Sequence, residues 1–136
     1  MQPIYLRNIP PPAETFNHPD FFDFLFSYIR PENYLELGVR DGRNFTKVSK
    51  HCIKATGVDI DKNPFILEPN MEFYQMTTDA YFAQSSQEEK FDVVFIDADH
   101  SHEQSLKDFL NVKDKIIDDG FIFFHDTYPY DKSYFD

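Results

Sequence analysis

Apolar residues recur along this chain in two rhythms, and their alternation predicts the architecture. Phe21, Phe22, Leu25, Phe26 and Ile29 fall at helical spacing. They follow an Asn17-His18-Pro19-Asp20 start, in which Asn17 or His18 caps the helix and Pro19 lies in its first turn. Pro31 ends that helix, and an apolar run over 34–38 reads as the first strand. A helix from Gly42 to about Cys52 and a second short strand over 55–61 follow, the strand ending in acids. Residues 71–76 alternate weakly as a third strand, closed by Thr77-Thr78-Asp79-Ala80, with the polar run 84–90 as a surface connection. Residues 91–96 are β-branched and apolar, as in a strand covered on both faces. Ser101-His102-Glu103-Gln104 matches a capping box, so a helix opens at about residue 102. Its stripe is Leu106, Phe109, Leu110, Ile116 and Ile117, Asp118-Asp119-Gly120 stops it, and Phe121-Ile122-Phe123-Phe124 is a fifth strand.

Strand–helix alternation with short links predicts an α/β fold: a doubly wound parallel sheet of about five strands with helices on both faces. The 136 residues suffice for one core. That single domain spans 17–136, behind an extended arm over 1–16 that holds Pro3, Pro10, Pro11 and Pro12.

Chemistry concentrates where the first strand ends. Glu36-Leu37-Gly38-Val39-Arg40-Asp41-Gly42 places an acid two residues before a turn carrying two of the four glycines. Strand, glycine turn and helix let a backbone approach a nucleotide-like ligand, because a Cβ would block the turn or the ligand. The spacing is not that of a dinucleotide fingerprint: Arg40 stands where its second glycine would be, which disfavours a nicotinamide oxidoreductase. An acid at Glu36 suits instead a ligand with a cationic, hydrogen-bond-donating end. Asp59, 17 residues after Gly42, sits near the separation of a ribose-binding carboxylate. Asp97-Ala98-Asp99-His100 lies at the C-terminal end of the fourth strand, where ligands bind in open parallel sheets.

A net charge of −11 argues against nucleic acid or an anionic membrane as main partner. The single cysteine, Cys52, excludes an intrachain disulfide and fits a reducing compartment. With no secretory segment and no apolar run near transmembrane length, a cytoplasmic location is expected.

The order of motifs resembles the class I S-adenosylmethionine-dependent methyltransferases, which share a Rossmann-like fold. Within them it is most similar to the small group with Glu-Leu-Gly-Val-x-x-Gly early, Ile-Asp-x-Asp-His-Ser midway and Gly-x-Ile-x-x-His-Asp late. These read here as Glu36 to Gly42, Ile96 to Ser101, and Gly120 to Asp126, and the resemblance covers roughly residues 20–128.

The resemblance implies that Glu36 and Gly38 line the methionine end of S-adenosylmethionine, that Asp59 holds its ribose, that Thr78 and Asp79 lie near its adenine, and that Gly42 and Asp97 also belong to the cofactor site. It further implies methylation of an oxygen on a small molecule or sugar, with His100 as base and Asp97 beside it. In metal-dependent relatives the acids matching Asp97 and Asp126 bind Mg²⁺; here His125 stands where such relatives often carry a second acid, and imidazole suits Mg²⁺ poorly. The complete fold continues through a helix and two strands beyond the fifth, so an apolar edge left at residues 121–124 calls for a cover, by a homo-oligomer or a partner. The competing expectation is a non-catalytic or truncated cofactor-binding module of the same fold that works by assembly.

Overall fold

The computed structural model describes residues 17–125. The proline-rich arm and Asp126 lie outside the described residues. Helix α1 (His18–Ile29) is followed by β1 (Asn33–Leu37), α2 (Arg43–Val48) with a 3-10 turn (Ser49–His51), and β2 (Lys54–Asp59). Next come β3 (Met71–Gln75), α3 (Thr78–Gln84), β4 (Phe91–Ile96), α4 (His102–Val112) and β5 (Ile116–Phe124). All five strands are parallel in the order β3-β2-β1-β4-β5. Order reverses beside β1, so a crevice opens outside the C-terminal ends of β1 and β4.

Alternate residues of each central strand feed opposite cores. Tyr34, Val93 and Phe95 pack with Phe22 and Phe26 of α1 and with Phe45 and Val48 of α2. Leu35, Leu37, Val94 and Ile96 pack on the other face with Tyr81 of α3 and Val112 of α4. The helices therefore cover both faces, as the near-continuous apolar character of β1 and β4 requires.

Local signals placed most elements. Asn17 Oδ1 accepts from the Asp20 amide at 3.2 Å, and Arg30 closes α1 in the left-handed region ahead of Pro31. Two assignments change. Thr77-Thr78-Asp79-Ala80 does not merely close β3 but opens α3, with the Thr77 side chain accepting from the Ala80 amide at 3.1 Å. Ile116 and Ile117 do not extend α4. The helix ends at Val112, and Ile116 pairs with Phe91 to begin β5, whose register then shifts so that Phe121 pairs with Val93. Asp118-Asp119-Gly120 is thus a bulge inside a strand, and pairing to β4 overrides the helical spacing. Among the described residues β5 is a sheet edge, with Phe121 49% and Ile117 37% exposed.

Candidate functional site

Two clefts meet at the C-terminal ends of the strands. The larger, about 800 Å³, runs from Gly38 and Asp97 past Asp59 and Ile60 to Thr78 and Asp79. The smaller, about 290 Å³, runs between α1 and the glycine turn and reaches Glu36 and Asn44. Gly38, Arg40 and Asp97 border both.

The glycine turn is shaped by packing as much as by any ligand. Gly38 has φ +87°, and a Cβ there would fall on the backbone of Asp97 and Ala98 at the end of β4. Gly42 has φ +77°, and its Cβ would meet the Phe65 ring; it borders neither cleft. The structure thus brings Gly38 to the clefts and leaves Gly42 to shape the turn. Arg40 adopts φ +51° with its amide donating to Asp59 Oδ2 at 2.7 Å. That bond ties the turn to the end of β2.

Glu36 is buried on the α1/α2 side of β1. Its Oε2 accepts from Tyr34 Oη at 2.6 Å and from Asn44 Nδ2 at 2.9 Å. Burial outweighs those bonds and pushes the carboxyl up to about 8, with the Asp97 and Asp59 charges adding to the rise. Near neutral pH the acid is therefore largely protonated when the cleft holds no cation. The spacing of Tyr34 and Glu36, two apart on a strand and hence on one face, is visible in the sequence; Asn44 arrives only through α2.

Asp59 Oδ2 is held by the Arg40 amide and its Oδ1 by the Asp61 amide at 2.9 Å. An ionised carboxylate has about four acceptor positions, so both oxygens retain capacity for hydroxyls. Further along the cleft, Gln104 Nε2 donates to Thr78 Oγ1 at 3.1 Å, Asp79 Oδ1 at 3.3 Å and Asp108 Oδ1 at 3.0 Å. Asp79 also pairs with Lys107 Nζ at 2.5 Å, which holds its carboxyl below the ordinary range. Only half of the capping box forms: the Gln104 amide donates to Ser101 Oγ, while the Gln104 side chain crosses to α3. The Ser101 amide donates instead to Asp99 Oδ1 at 2.7 Å.

Asp97 is buried at the junction of the clefts, and its amide donates to Leu37 O at 2.8 Å. Its Oδ1 lies 3.0 Å from His125 Nδ1 and 3.7 Å from His100 Nε2. The His125 amide donates to Ile96 O at 3.0 Å, fixing that residue at the end of β5. The His18 ring approaches His125 with centroids 4.7 Å apart. In the sequence Asp97 and His100 stand out as site residues, whereas His18 reads as part of a helix start and His125 as the residue standing where metal-dependent relatives often carry a second acid. His18 lies 79 positions from Asp97, so no local pattern could join them.

Among the described residues, no helix is long and apolar enough to cross a membrane.

Known proteins share this fold. A methyltransferase from Podospora anserina with bound S-adenosylhomocysteine superposes with a TM-score of 0.59 at 13% identity, covering 76% of this chain and 50% of that one. A putative caffeoyl-CoA O-methyltransferase from Staphylococcus aureus gives 0.62 at 18% identity, covering 76% and 54%. The N-methyltransferase NodS from Bradyrhizobium japonicum WM9, also with S-adenosylhomocysteine, gives 0.55 at 17%, covering 87% and 67%. The chain thus spans about half the length of the first two. No curated protein sequence matches it. A family model described as a methyltransferase domain matches residues 35–127, well over half of the chain, from β1 through the end of β5. With its parallel sheet, glycine turn and strand-end acids, the chain belongs to that methyltransferase domain family, among the class I S-adenosylmethionine-dependent methyltransferases.

Proposed function

We propose that this domain binds S-adenosylmethionine along the joined clefts and transfers its methyl group to a hydroxyl oxygen of a small molecule or sugar. The observation that carries the reading is the pair of carboxylates at either side of the cleft junction. Asp59 faces the larger cleft and Glu36 the smaller, with Gly38 and Asp97 between them. That layout matches a ligand with a ribose in its middle and an ammonium group at one end. Asp59 accepts from the ribose hydroxyls, Thr78 and Asp79 border the adenine, and Glu36 faces the methionine end. Support also comes from two of the structural neighbours, crystallised with the demethylated cofactor.

The reacting centre falls at Asp97. The acceptor oxygen attacks the methyl carbon in line with the sulfonium, an O–C bond forms as the S–C bond breaks, and its electron pair leaves a neutral thioether. The methyl donor needs only alignment. His100, the cluster's cleft-lining imidazole, takes the hydroxyl proton, and Asp97 favours the imidazolium that results. Mg²⁺ prefers an all-oxygen octahedral set, and two of the three described donors here are imidazole nitrogens, so that ion fits them poorly.

Titration calorimetry with S-adenosylmethionine and S-adenosylhomocysteine tests the cofactor. Binding in the micromolar range is expected, weakened about tenfold to a hundredfold by Asp59→Ala, which removes charge-assisted bonds to two hydroxyls. Absence of binding into the high-micromolar range overturns the reading. His100→Gln should slow methyl transfer to a hydroxylated acceptor about a hundredfold, with cofactor affinity little changed; an unaltered rate would remove His100 from the role of base.

A second reading rests on the β5 edge, where Phe121 is half exposed. It makes the domain a cofactor-binding module that acts through a second copy or a partner covering that edge. Gel filtration showing a monomer that binds and transfers would rule it out.

A further inference from the structure

We infer that Asp97, His100 and His125 form a site for a first-row transition ion of the Mn²⁺, Co²⁺ and Zn²⁺ class rather than for Mg²⁺. The inference deepens the proposed function, since it concerns the same strand-end cluster, but it rests on the donors alone.

One carboxylate oxygen and two ring nitrogens converge, all within 4.8 Å of one another. Ligands bound at about 2.1 Å stand roughly 3 Å apart on neighbouring octahedral positions and slightly farther apart on tetrahedral ones. The 3.0 Å separation of Asp97 Oδ1 from His125 Nδ1 already meets that requirement. His100 Nε2, at 3.7 Å from Asp97 Oδ1, is close to it. The His100 side chain is 48% exposed and can turn inward without disturbing the core, whereas the 6% exposed carboxylate of Asp97 is fixed by the sheet. The three residues come from the end of β4, the loop before α4 and the end of β5, so the strand pairing assembles the set before any ion arrives.

Donor chemistry decides the ion. Imidazole is a borderline ligand that first-row transition ions accept and Mg²⁺ does not favour. Two imidazoles and one carboxylate leave coordination positions open towards the cleft for water or an acceptor oxygen, as in two-histidine, one-carboxylate centres. An ion held there occupies His100 Nε2, so His100 can serve as base only in the ion-free site; ion binding that depends on its imidazole replaces the role of base with that of ligand.

Purified, chelator-stripped protein would be titrated with Co²⁺ in the absence of cofactor, following visible d–d absorption, with Zn²⁺ competition and equilibrium dialysis for stoichiometry. One ion per chain is expected, bound in the micromolar range or tighter and not displaced by millimolar Mg²⁺. His125→Ala should weaken it at least a hundredfold, and His100→Ala, at an exposed position that tolerates substitution, at least tenfold. His125→Asp should move the preference towards Mg²⁺ and Mn²⁺. Circular dichroism of each variant separates loss of ligand from loss of fold. Failure to bind Co²⁺ or Zn²⁺ stoichiometrically, or binding that both alanine variants leave unchanged, overturns the inference. Because the titration contains no S-adenosylmethionine, and cofactor calorimetry can be run in chelator, failure of either reading leaves the other interpretable.

Discussion

Gly38→Ala should eliminate detectable S-adenosylmethionine binding and destabilise the domain by roughly 2–6 kcal/mol, the sum expected of a strained backbone and an overpacked contact. Gly38 has φ +87°, where an L side chain is strained whatever the available space. Its added Cβ meets main-chain atoms of Asp97 and Ala98, which cannot rotate aside as a side chain would. Relief requires the ends of β1 and β4 to separate. That would break the bond from the Asp97 amide to Leu37 O or the one from the Gly38 amide to Val58 O, both 2.8 Å. Either change moves Asp97 and the junction of the clefts. Gly42→Ala is the control: the atoms nearest its Cβ all belong to the Phe65 ring, a side chain rather than backbone, so destabilisation without complete loss of binding is expected. Calorimetry and thermal denaturation of both variants decide the matter, and wild-type affinity in Gly38→Ala would refute the close-packing account.

The second large effect concerns Glu36 and pH. Its folded-state carboxyl lies at about 8, against an ordinary value of 4.5. Between those two values the folded chain keeps a proton that the unfolded chain has released. Stability from this group is therefore fully present below about pH 4.5 and is lost as pH rises towards 8. The slope approaches about 1.4 kcal/mol per pH unit, so the loss reaches on the order of 3 kcal/mol by pH 7. Glu36→Gln keeps a carbonyl oxygen for Tyr34 and Asn44 but cannot ionise. Denaturant unfolding from pH 5 to 8.5 should show the wild type weakening relative to the variant across this window. Parallel profiles would mean that the carboxyl is not displaced.

The same acid predicts a signature of ligand binding. An ammonium group entering the smaller cleft favours the carboxylate, so binding at pH 7 should release close to one proton in the wild type and none from this source in Glu36→Gln. Calorimetry in buffers of different ionisation enthalpy measures it. A binding enthalpy independent of buffer would place the cationic end of the ligand elsewhere.

Local signals made much of this protein legible from its sequence. The cap at Asn17, the helical spacing of Phe22 and Phe26, the apolar run at 91–96 and the glycine turn after Glu36 each declare an element within a few residues. Their alternation implies a parallel sheet covered on both faces, and Glu36, Asp59, Asp97 and His100 could be singled out because each stands at or just beyond a strand end. Tertiary structure decided what depends on distant pairing. Ile116 and Ile117 fit the spacing of α4 equally well, and only hydrogen bonding to β4 assigned them to β5. Asn44 reaches Glu36 from another element, so neither the burial of that acid nor its raised pKa is written in the motif. His18, Asp97, His100 and His125 gather at one place because the ends of β4 and β5, the loop before α4 and the start of α1 converge there. A sequence orders side chains along one dimension, whereas desolvation and ligand geometry depend on separations that the packed sheet alone sets.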